Sequence, residues 1–125
     1  MKTSKRKVGD LGEDLAVRYL ESQKYKIIER NVLRKWGELD IVAKDNQGMI
    51  FVEVKTLNKK TGQAFFPEQN ISYHKKRSLI RTAQLYLAQK NYPPDTAWQI
   101  DVIAVELNWS THRADLRHLK NAVWN

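Results

Sequence analysis

The segment Gly37-Glu38-Leu39-Asp40-Ile41-Val42-Ala43, then Asp45-Asn46-Gln47-Gly48, then Met49-Ile50-Phe51-Val52-Glu53-Val54-Lys55-Thr56, sets the architecture of this chain. Two apolar runs rich in β-branched residues flank a polar cluster with Asn and Gly, the pattern of a β-hairpin. Side chains alternate faces along a strand. Leu39, Ile41 and Ala43 therefore share one face with Ile50, Val52 and Val54. The opposite face carries Glu38, Asp40 and Val42, then Phe51, Glu53 and Lys55.

A turn centred on Asn46-Gln47 makes paired residue numbers sum to 93, so Ile41 faces Val52, Asp40 faces Glu53 and Glu38 faces Lys55. A slip of two residues would put Lys55 opposite Asp40. In either register several charged groups come within reach of one another, because directly opposed Cβ atoms lie ~5 Å apart. Opposed carboxylates repel, and desolvation makes an unpaired charge costly. A divalent cation resolves that conflict, since Mg²⁺ favours one or two carboxylates together with waters and substrate phosphates. A neighbouring lysine then orients a water or offsets developing negative charge. The same residues are also compatible with a Glu–Lys pair on a wet sheet face.

The spacing of Asp40 and Glu53-Val54-Lys55 resembles the catalytic core of the PD-(D/E)XK nuclease superfamily, with Leu39 where the motif has a proline. The longer strings Gly37-Glu38-Leu39-Asp40-Ile41-Val42-Ala43 and Phe51-Val52-Glu53-Val54-Lys55-Thr56 resemble the bacterial YraN family, which is related to Holliday-junction resolvases. The resemblance runs from Gly9 to about Trp124. It implies a restriction-endonuclease-like α/β (α+β) core and Mg²⁺ or Mn²⁺ on Asp40 and Glu53. It also implies a third carboxylate from the first helix, where Gly9-Asp10-Leu11-Gly12-Glu13 followed by Ala16 points to Glu13.

The chain has 125 residues, 42% of them hydrophobic, enough for one domain with a real core. With no cysteine, disulfides and cysteine–zinc sites are excluded. No apolar run approaches the ~20 residues of a membrane span, and no apolar signal segment follows the basic start, read as a tail over residues 1–7. A cytoplasmic location without membrane attachment is expected. Net charge is +8, which suits a polyanionic partner, chiefly nucleic acid.

Residues 8–24 read as a helix, with Val8, Leu11, Leu15 and Tyr19 at helical spacing. Gly9 and Gly12 suit a close backbone approach. Read by themselves, Glu13 and Asp14 suit the dipole of an early helical turn. Residues 25–33 read as a strand and 34–37 as a basic bend, with Trp36 covering the core edge or stacking on a base. A polar loop follows the hairpin, where Lys59 and Lys60 are candidates for phosphate contact and Phe65 and Phe66 for a packing plug or a nucleic-acid wedge. A second helix is expected from about Asn70 to Lys90. It carries the basic run His74-Lys75-Lys76-Arg77, a solvated face or a backbone clamp. Lys75 falls at the family's recurring helix lysine, and Arg77 is the next candidate. Residues 98–107 read as a strand in which Asp101 partners a nearby Arg or Lys. Residues 114–123 form an edge strand or an irregular cap. His74, His112 and His118 show no zinc spacing and read as surface residues.

The order is α-β-β-β-α-β, a mixed sheet flanked by helices. The expected function is metal-dependent hydrolysis of DNA phosphodiesters, with branched DNA as a candidate substrate. The alternatives are an inactive nuclease-fold binding module and a basic protein-interaction domain. A homodimer is conceivable by analogy with junction-resolving relatives, although the sequence shows no dimer seam.

Overall fold

The computed structural model describes residues 4–59 and 71–124. Lys60, Phe65 and Phe66 lie outside them. The elements are α1 (Ser4–Ser22), β1 (Lys26–Arg34), β2 (Gly37–Lys44), β3 (Met49–Asn58), α2 (Tyr73–Gln89), β4 (Trp98–Asn108) and β5 (Arg113–Val123). The five strands form one sheet in chain order. All neighbouring strands are antiparallel except β3 and β4, whose parallel pairing needs the crossover through α2. The tail is thus an edge strand.

The hairpin register follows the predicted sum, from Ile41↔Val52 to Lys44↔Met49. Its turn is held by Asp45, whose Oδ1 accepts from the N–H groups of Gln47 (2.8 Å) and Gly48 (3.1 Å). The helices cover opposite faces. Ile41, Ala43, Ile50, Val52, Ile103 and Val105 pack with Ala16 and Leu20 of α1. Val42, Phe51, Ile100 and Val102 pack with Leu79, Ala83 and Tyr86 of α2. Helix α1 sits close on the sheet at Gly12, where an added Cβ would overlap the Thr56 side chain.

Three expectations are corrected. Helix α1 starts at Ser4, so residues 4–7 belong to it rather than to a tail. Lys and Arg are good helix formers, and Arg6 pairs with Asp10 one turn on (3.9 Å). Helix α2 starts later than expected, at Tyr73, because Ser72 caps it by accepting from the Lys75 N–H (3.1 Å). Leu39 leaves the face of Ile41 and packs with Val32, Val42 and Phe51 beneath α2. Asn31, opposite this point, has a left-handed φ of 52°, which Asn tolerates, and the strand pair changes face there.

Candidate active site

Beyond Ile41↔Val52, β2 and β3 part company. Strand β2 continues on β1 through Val32↔Leu39 to Arg34↔Gly37, while β3 continues on β4 to Asn58↔Leu107. The expected direct opposition of Asp40 and Glu53 is therefore no ladder pair. Val54 N–H instead donates to Asp40 Oδ2 (2.8 Å), which satisfies a backbone group that the split deprives of a strand partner. The split opens a cleft of about 970 Å³, lined by Glu13, Glu38, Asp40, Lys55 and the first turns of α1.

Glu53, on β3 at this split, has a side chain only 7% exposed. Its Oε1 lies 3.7 Å from both Lys55 Nζ and Lys75 Nζ, so β3 and the first turn of α2 each supply a cation. Burial, then the charge of Asp40, pushes the Glu53 carboxyl up to about 7, against the opposing pull of the two lysines. Burial also raises Asp40, opposed first by the Val54 N–H and then by Lys75.

Glu13 is buried on α1, nine residues beyond the helix start, too far for the dipole reading. Burial raises its pKa, and repulsion from Asp40 adds to this. Its Oε1 accepts from Arg30 Nε (3.1 Å), and the same guanidinium donates through Nη2 to Asp14 (2.6 Å). Sequence reasoning missed Arg30. It lies sixteen and seventeen positions from its partners, and no local pattern signals the contact.

The structure thus brings Asp40, Glu53, Lys55 and Lys75 together, with Glu13 adjoining. Among the described residues, no three acidic or histidine side chains converge into a ready ligand group. Lys59 follows Asn58, which lines the cleft, and its Nζ lies 3.7 Å from Asp115 Oδ2. Arg77 lies against the Tyr73 ring (5.9 Å).

Asp101 has a structural role, with His118 in place of the expected Arg or Lys. Fully buried, it accepts from Gln99 Nε2 (2.8 Å) and Asn121 N–H (2.9 Å) and meets His118 Nε2 at 2.7 Å. Burial works to raise its pKa, but these bonds, His118 foremost, hold it below the ordinary value. His118 is accordingly no surface residue. Its side chain is 5% exposed, and its Nδ1 lies 2.9 Å from Tyr19 Oη.

A mixed sheet with a helix on each face, and with acidic and basic groups gathered where its strands part, is a restriction-endonuclease-like arrangement. The profile described as "Uncharacterised protein family UPF0102" matches residues 12–105. The chain belongs to this UPF0102 (YraN) family, as its motifs suggested. A UPF0102 protein of Desulforamulus reducens is 36% identical over 98% of this chain and 100% of its own. One from Persephonella marina is 38% identical over 91% of this chain and 90% of its own. Among solved structures, Pyrococcus furiosus SfsA in complex with Ca²⁺ is similar at a TM-score of 0.43 and 17% identity. That match covers 93% of this chain and 63% of the other. Among the described residues, no helix is long and apolar enough to cross a membrane.

Proposed function

We propose that the chain is a metal-dependent endonuclease-type domain that hydrolyses DNA phosphodiesters. One observation carries the reading: a buried Glu53, raised by burial and then by the charge of Asp40, lies against two lysines from different elements, and Asp40 and Lys55 line the open cleft beside it. Two carboxylates that repel each other in a desolvated place fit a hard divalent cation, Mg²⁺ or Mn²⁺. Asp40 and Glu53 would hold it, with Glu13 supporting through water. Bound there, the ion supplies a water of lowered pKa and polarises a phosphate. Lys55 orients the attacking water, Lys75 offsets charge building on the phosphate, and Arg30 fixes Glu13. The net charge of +8 holds the DNA backbone with little base preference.

A second reading has one observation in its favour. Lys55 and Lys75 already lie against Glu53, so these charges can offset one another without metal and leave a binding module that does not cut. Titration of Mn²⁺ into wild type and Asp40→Asn, followed by incubation with branched, single-stranded and duplex DNA, separates the two. The nuclease reading expects metal binding and cleavage by wild type, and both lost in the variant. DNA binding without metal uptake or cleavage supports the module.

A further inference from the structure

Helix α2 has a second, exposed flank. Tyr73, Lys76, Arg77 and Ile80 fall at i, i+3, i+4 and i+7, so they share one face. With Trp124, which follows β5, they line a groove of about 290 Å³. Tyr73 is 69% exposed and Trp124 71%, unusual for large aromatic side chains. Among the described residues the lining holds two cations and no carboxylate, and Arg77 lies over the Tyr73 ring. Lys75, two residues after Tyr73 and so roughly 200° further round the helix, reaches Glu53 on the other flank. The groove and the carboxylates are therefore separate places on either side of the same helix start.

We infer that this groove binds single-stranded nucleic acid, with a base stacked on Trp124 or Tyr73 and the adjoining phosphates held by Lys76 and Arg77. Every base offers a π-face, and an aromatic ring beside a cation takes it without sequence preference. Duplex bases are stacked on one another and cannot use such a ring. The groove therefore selects an unpaired strand, such as a flap, a fork arm or an open junction, that leaves the cleft around the start of α2. The inference rests on the nucleic-acid reading above and names its substrate class.

The test is fluorescence anisotropy in EDTA, where no cutting interferes. The probes are a labelled oligothymidylate of about 20 nucleotides, longer than a typical single-strand site, and a blunt duplex of equal length. Trp124→Ala and Tyr73→Ala should each weaken single-strand binding about tenfold to a hundredfold while leaving the duplex within about twofold. Trp124→Phe should restore most of the loss, which a charge effect would not. Equal losses on both probes, or no loss on either, overturn the inference and leave the nucleic-acid reading standing. Failure of wild type to bind either probe overturns both. A concentration-dependent rise in mass, abolished by Trp124→Ala, assigns the face to a second copy of the chain and overturns the inference.

Discussion

Replacing Glu53 by Gln tests the electrostatics of the split directly. A free glutamate titrates near 4.5, and here the carboxyl is raised to about 7. Below about pH 4.5 the group is protonated in both folded and unfolded chains, and its burial costs no ionisation energy. As pH rises toward 7 the unfolded chain releases the proton while the folded one keeps it, so stability falls. Above 7 the carboxylate is ionised in both states and the full cost is present. At ~1.36 kcal/mol per pH unit this amounts to about 3 kcal/mol. Glutamine keeps the shape and never ionises. In EDTA, Glu53→Gln should therefore match wild type near pH 4, apart from any fixed offset, and gain about 3 kcal/mol on it near pH 8. For a chain of this size that is a rise of roughly 10 °C in Tm. The repulsion from Asp40 is already part of this figure. Thermal unfolding followed by circular dichroism at the two pH values gives the comparison. A Tm difference between variant and wild type that is the same at both pH values would refute the reasoning, since Glu53 would then ionise as an ordinary glutamate.

Two further predictions follow from packing. Gly12→Ala drives a methyl group into Thr56 on β3 and should cost about 1–3 kcal/mol in urea unfolding, with partial recovery in Gly12→Ala/Thr56→Ala. An unchanged midpoint would mean that α1 does not sit this close to the sheet. His118→Leu removes the main partner of a fully buried carboxylate and should cost about 3 kcal/mol, much of it regained when Asp101→Asn is added. A loss below ~1 kcal/mol, or no recovery in the double variant, would show that the pair does not hold β5 to β4.

The two carboxylate candidates on the hairpin were legible because alternation and turn chemistry are local. Asp45 and Gly48 fix the turn, the turn fixes the register, and the register carries Asp40 and Glu53 to the same end of the hairpin. The order of helices and strands could also be read, because hydrophobic period lies along the chain, while the lysine at position 75 came from the family resemblance. Family membership was carried by the same strings.

Other features depend on which elements meet in space. The strands separate at Asp40 because β2 has β1, and β3 has β4, as a better continuing partner; only the assembled sheet makes that choice. Leu39 changes face because Asn31, on another strand, takes a left-handed turn. Arg30 joins Glu13, and His118 joins Asp101 and Tyr19, across separations of up to ninety-nine positions. Trp124 meets the first turns of α2 only because β5 returns beside β4. By itself the sequence determined the elements, the hairpin register and the residue types at its charged end, since these follow from neighbours along the chain. The tertiary structure alone decided which charges are buried, which are paired and which aromatic rings remain exposed, since burial and pairing belong to surfaces that exist only once distant segments pack.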